Sequence, residues 1–203
     1  MATSEATGDH PDPLVSGREA AAILAQMGVT REPARRALLA GVAGTGQRVR
    51  GSVLYERARV HALLSAPLVG DTLPTLMTRG TFIARIKDCG AIAERECDDH
   101  LLRQVARGWH VSPITRLSFS VRVARDEWMP FVATVSGFAV LGAEIIGVGL
   151  ERDGTRFTLR AAGAWYESVH RRRVPTRAGG PWTVLPKGAL HTRFSRRPSH
   201  DQW

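Results

Sequence analysis

Between residues 15 and 66 the apolar positions follow a helical period. VSGREAAAILAQMG opens with Ser16 as an N-cap and Glu19 three positions on, the reciprocal pairing that satisfies free amides at a helix start, which predicts a helix from about Gly17 to Gln26. Gly28-Val29-Thr30 supplies a turn, and Thr30 caps a second helix, REPARRALLAG, with Pro33 in its tolerant first turn and Gly41 at its end. Ala20, Ala21, Leu24, Val29, Ala34, Ala37 and Leu38 form the predicted small-residue core, which lets the two helices cross closely and turns Arg31, Arg35 and Arg36 outward. VAGTGQRVRGSVLY follows as two short extended runs around a Gly-rich turn bearing Arg48 and Arg50, and ERARVHALLSA reads as a third helix. That pattern ends at Ser65-Ala66-Pro67, where a proline marks a boundary.

Beyond the boundary the pattern favours strands. TFIARIKD reads as a short strand, and AIAERECDDHLLRQVARGW has helical spacing at Ile92, Leu101, Leu102 and Val105. Leu117, Phe119, Val121 and Val123 alternate with Ser118, Ser120 and Arg122, which predicts a half-buried strand. The run from Trp128 to Leu150 is long enough for a bilayer span and carries Glu144 as its only charge. Pro130, four glycines and several β-branched residues suit broken strands better than one helix. Asp153-Gly154 is a strong hairpin turn, and beyond it Phe157 and Leu159 alternate with Arg156, Thr158 and Arg160. Strands are therefore expected at 131–136, 139–150, 155–165 and 181–185, in a mostly antiparallel sheet with one helix.

Composition adds a globular profile, 43% hydrophobic and 23% charged over 203 residues, which excludes fibrous and wholly disordered classes. Charge changes the picture more. The chain carries a net +9, which favours a polyanionic partner. Residues 1–14 carry −3, 15–66 carry +5, 67–151 carry −1 and 152–203 carry +8. Basicity thus sits in two blocks, and all but Lys87 and Lys187 of the cations are arginines. Cys89 and Cys97 cannot make a disulfide scaffold, and the acidic lead MATSEATGDHPDP lacks the regions of a signal peptide, so reduced cytoplasmic thiols are expected.

The order of helix, turn, arginine-bearing helix ending in glycine, basic two-stranded wing and closing helix resembles the winged helix-turn-helix of excisionase and MerR-type DNA-binding proteins. SGREAAAILAQMGVTREPARRALLAG followed by RVRGSVLYERARVHALL carries the match, about a quarter of the chain. The resemblance implies a recognition helix in the major groove and a wing on phosphates or the minor groove. Thr30, Arg31 and Glu32 would then open the recognition helix, Arg35 and Arg36 would read bases or clamp phosphate, and Gln47, Arg48, Arg50 and Ser52 would form the wing contact. Tyr55 and Arg57 are further candidates at the wing exit.

In the second basic block Arg171, Arg172, Arg173, Arg177, Arg193, Arg196 and Arg197 accompany Trp165, Tyr166, Trp182, Phe194 and Trp203. Arginines among aromatics suit a second nucleic-acid contact; the competing reading is a solvated loop and tail, with the tryptophans in the core or at a subunit interface. Glu96, Asp99 and His100 are ordinary solvated helix charges rather than metal ligands, and GAEIIGVG lacks the spacing of a dinucleotide fingerprint. No nucleophile stands beside a base, so no enzyme activity, metal or cofactor is expected.

The expected fold class is α+β: a disordered lead at 1–14, a winged helix-turn-helix at 15–66, a mostly antiparallel β-sheet domain with at least one helix at 67–190, and a mobile basic tail at 191–203. The expected function is a cytoplasmic, nucleoid-associated, bacterial-type transcriptional regulator that binds specific double-stranded DNA as a homodimer, its second domain serving dimerisation or the sensing of a small-molecule effector, with no membrane contact. An excisionase-like architectural protein that bends DNA is the alternative, and a protein-interaction module a further one.

Overall fold

The structure is a computed structural model describing residues 13–65, 80–87, 91–174 and 180–185. It is α+β: N-terminal helices with a small three-stranded sheet, then a five-stranded mixed sheet with helices. The expected lead, most of the boundary at 65–67, Cys89, Arg177 and the expected tail at 191–203 lie outside the described residues.

In the N-terminal module, β1 (Leu14–Ser16) leads directly into α1 (Gly17–Ala25), where the Ser16 side chain accepts from the Glu19 amide at 3.2 Å. The turn passes through Gly28 at φ +74°, a left-handed conformation that glycine adopts without a Cβ penalty. Next come α2 (Arg31–Leu39), β2 (Gln47–Val49), β3 (Ser52–Glu56) and α3 (Arg57–Leu64). Thr30 is the N-cap of α2, but its side chain makes no capping hydrogen bond. All seven residues predicted for the small-residue core are buried. The strand β1 was not foreseen; it pairs antiparallel with β3, placing Val15 opposite Tyr55.

The larger sheet has the order β7-β6-β5-β4-β8, built from β4 (Thr81–Arg85), β5 (Met129–Val135), β6 (Phe138–Glu151), β7 (Gly154–Ala161) and β8 (Trp182–Leu185). Its β6–β7 hairpin is where the Asp-Gly signal predicts one, with the turn one residue earlier than expected, at Arg152-Asp153, and Gly154 opening β7 opposite Glu151. Three of the four strand pairings are antiparallel, and β4 runs parallel to β5. The expected strand at 155–165 stops at Ala161 and gives way to a 3-10 turn over Ala164–Tyr166.

Two expectations are corrected. Residues 117–123 belong to a helix, α5 (Pro113–Val123), not a strand. Ser112 accepts from the Thr115 amide at 3.2 Å and Pro113 occupies the first turn, a start signal that outweighs a two-residue alternation. Phe119 alone of the helix is fully buried. The helical spacing read over 91–109 resolves into a 3-10 turn (Ile92–Glu94) and α4 (Asp99–Val105), because Asp98 caps a fresh helix by accepting from the Leu101 amide at 2.7 Å.

Phe82 on β4 is the centre of the core, with Phe157 at 5.0 Å and Phe131, Trp109 and Trp182 each at 5.6 Å between ring centroids. Helices α4 and α5 cover this face through Leu101, Leu102, Val105 and Phe119, and the buried cluster continues without a break into the N-terminal module. On the other face Ile83, Val132 and Ala139 meet Val169 and Val174. The Trp128–Leu150 run is thus spent on β5 and β6, and no described helix is long and apolar enough to cross a membrane. Its one carboxylate, Glu144, is buried but satisfied: Arg160 Nε donates at 2.6 Å, Trp165 Nε1 at 3.0 Å and the Gly163 amide at 3.4 Å.

The two parts are joined at the C-terminal end of α2. The Ala91 amide donates to the Leu39 carbonyl at 2.8 Å and the Ala93 amide to the Ala40 carbonyl at 2.9 Å, supplying partners that a helix end lacks. From the other side His170 Nε2 donates to the Ala93 carbonyl at 3.0 Å, and Arg171 pairs with Glu94.

Replacing Phe82 by Ala should cost about 3–5 kcal/mol of unfolding free energy in denaturant titration, because it empties the centre of the aromatic cluster. A second outcome concerns pH. Burial, reinforced by the Arg171 charge, holds the His170 ring below its ordinary titration range, against weaker opposition from the Ala93 hydrogen bond and Glu94. The unfolded chain therefore takes up this proton first, so stability should fall as pH drops below about 6.5. In thermal unfolding, His170→Gln should show a smaller loss than the parent between neutral and mildly acidic pH.

Candidate nucleic-acid interface

Small alanines on the inner faces of α1 and α2 draw the helices together, and every charged residue of α2 is left exposed. Arg31, Glu32, Arg35 and Arg36 stand on that outer surface with Thr30 before them. Glu32 lies 3.8 Å from Arg35, one turn on, a solvent-exposed pair that contributes little to stability. Arg31 and Arg36 have no carboxylate partner among the described residues.

The hairpin β2–β3 carries the other candidates. Gln47, Arg48 and Val49 are all exposed, and so are Arg50, Gly51 and Ser52 at the tip, so β2 is a solvated edge strand. Arg50 at φ +46° and Gly51 at φ +83° make the tight turn that presents Arg48 and Arg50. Tyr55 has a different setting, since it is 5% exposed and its ring lies 2.9 Å from where a Cβ at Gly46 would stand. Burial raises its phenol pKa, and the nearby Arg35 charge pulls the other way. Arg57 pairs with Glu19 and so ties α3 to α1.

A groove between α1, α2 and β3 is lined by Arg18, Arg31, Arg35, Leu38, Leu39 and Tyr55. It brings three arginines and Tyr55 to one surface depression. Arg18 was missed in the sequence reading, yet its signal was present: it stands in the first turn of a capped helix, whose free amides already favour an anion.

The second basic block does not assemble in the same way. Arg171 is engaged with Glu94, and Arg173 Nη1 donates to the Met27 carbonyl at 2.8 Å, supporting the turn before α2. Only Arg172 of the triplet has no side-chain partner among the described residues. Trp165 stacks on Trp128 at 6.2 Å and bonds Glu144, Tyr166 covers Gly142 so closely that a Cβ there would lie 2.3 Å from its ring, and Trp182 stacks on Phe82. These three aromatics are half-buried in contacts within the fold. Arg177, Arg193, Arg196, Arg197, Phe194 and Trp203 lie outside the described residues. Glu96, Asp99 and His100 are exposed, and among the described residues no group of three His, Cys, Asp or Glu could hold a metal ion.

No family model matches the chain, and no curated protein or solved structure matches it either.

The contrast within the triplet is measurable. Arg173→Ala should cost about 1.5–3 kcal/mol, the range for a hydrogen bond to a charged group, and speed amide exchange around Gly28–Thr30. Arg172→Ala should leave both unchanged.

Proposed function

We propose that the chain is a sequence-specific double-stranded DNA-binding transcriptional regulator, and that its N-terminal module is a winged helix-turn-helix with α2 as recognition helix and the β2–β3 hairpin as wing. One observation carries the reading. A short helix whose inner face is Ala34, Ala37 and Leu38 turns Arg31, Arg35 and Arg36 to solvent beside a hairpin whose Arg48 and Arg50 are also exposed. A helix is about 10–12 Å across with its side chains, which fits a major groove about 12 Å wide.

On this reading Arg31, Arg35 and Arg36 meet base edges or flanking phosphates, and Glu32 accepts from a cytosine amino group once its pairing with Arg35 is exchanged for DNA. Arg18 joins them as a backbone clamp at the start of α1, where helix dipole and guanidinium act together. Arg48 and Arg50 follow phosphates or the minor groove, with Gln47 and Ser52 alongside. Tyr55 and Arg57 act indirectly, by holding the groove floor and the α1–α3 junction.

Selection from a random duplex pool at about 150 mM salt, where non-specific attraction is partly screened, should enrich a motif that Arg35→Ala/Arg36→Ala loses. Arg35→Ala should cost about 1–3 kcal/mol on that motif, whereas Arg48→Ala should weaken all duplexes alike and reduce the salt slope by about one. Retention without a motif supports the bending alternative, and no retention removes the DNA reading.

A further inference from the structure

The outer face of α5 is built the wrong way round for a helix that merely covers a sheet. Its inward anchor is Phe119, 3% exposed against Phe82 and Phe157. On the opposite side Ile114 is 82% exposed, Leu117 65% and Val121 43%, and the exposed Ala124 follows at the C-cap. Positions 114, 117, 121 and 124 repeat at three, four and three residues, the spacing that keeps one seam of a helix facing a partner helix. None of the four is charged, and Ile146 and Leu150 add further exposed apolar surface near the helix ends. Ile146 borders a cleft with Val123, and Leu150 stands opposite Thr155, whose backbone bridges Trp109 just ahead of the Ser112 cap.

We propose that this face is a self-association surface, on which two copies of the chain pair through antiparallel α5 helices about a two-fold axis. The pattern itself selects a second copy as the occupant. A two-fold interface must be self-complementary, and the stripe is palindromic about Phe119. Antiparallel pairing sets Leu117 against the other copy's Val121, and the large Ile114 against the small Ala124.

Charge permits this register. Beyond the C-terminal end of each α5 the exposed Arg125 and Asp126 offset each other, and Arg116 of one copy comes opposite Arg122 of the other. Arg122 is already neutralised within its own copy by Glu127 at 3.3 Å. The exposed apolar side chains offer several hundred Å² per copy, roughly half of the ~800 Å² that each partner buries in a standard interface, and the polar rim supplies the remainder. The inference is drawn from the sheet domain alone and stands or falls separately from DNA binding. Where both hold, the dimer carries two α2 helices to two half-sites.

The test is sedimentation velocity on the full-length chain without DNA. The parent should be dimeric at micromolar concentration, and Leu117→Arg and Val121→Glu should each weaken self-association more than about tenfold with the far-ultraviolet circular dichroism spectrum unchanged. An equimolar mixture of the two variants should regain a dimer, because Arg at 117 then faces Glu at 121 across one half of the seam and the native Val121–Leu117 contact remains across the other. A monomeric parent overturns the proposal and leaves the face to a different protein. A dimer indifferent to both substitutions overturns the site, and two monomeric variants that fail to rescue each other overturn the antiparallel pairing.

Discussion

The C-terminal end of α2 is where the two parts of this molecule become one. A helix ends with unpaired carbonyls, and here those of Leu39 and Ala40 receive the amides of Ala91 and Ala93, residues some fifty positions further along the chain. The segment that provides these amides is itself gripped from behind by His170 and Arg171. Gly41, at φ +80°, packs so close to Ala91 and Glu94 that a Cβ there would stand 3.0 Å from the Glu94 side chain. The helix end, the 3-10 turn and the loop after β7 therefore form one strap, with backbone hydrogen bonds on one side and side chains on the other. Burial follows from it, because the cluster that begins at Val15 and Leu24 runs on into Phe82 and Phe131.

The N-terminal module was legible because its information is local. Ser16 and Glu19 mark a helix start, Gly28 and Gly41 mark turns that need positive φ, and an alanine spacing marks the contact between α1 and α2. Each signal acts within a few residues of the structure it specifies. What escaped was non-local: β1, whose three residues are strand only because β3 lies beside them, and Arg18, whose place in the groove depends on how α2 crosses α1. Tyr55 was read as a contact residue from its place in the chain, yet the pairing of β1 with β3 buries its ring.

In the sheet domain the reading succeeded where strand period and turn chemistry agreed, at the β6–β7 hairpin, and failed where period stood alone. Residues 117–123 alternate as a strand should, but three of the four apolar positions, 117, 121 and 123, are not buried together on one sheet face; Ser112 and Pro113 had already committed the chain to a helix. The same residues reread at helical spacing give Phe119 inward and Leu117 and Val121 outward, so the false strand signal and the exposed stripe have one origin. The parallel pairing of β4 with β5 had no signal in either strand, since it depends on a connection of more than forty residues.

Seen from α2, the second basic block acquires a role that composition could not assign. Arg173 reaches the Met27 carbonyl before the N-terminal end of α2, and Arg171 secures Glu94 beside its C-terminal end. The helix is thus steadied near both ends by side chains from the loop after β7. A rigid support of this kind fixes the direction in which Arg31, Arg35 and Arg36 point, and preorganised groups lose less on binding than mobile ones. On the proposed DNA-binding reading, the arginines at 171 and 173 would serve the partner without touching it, by holding the surface that does.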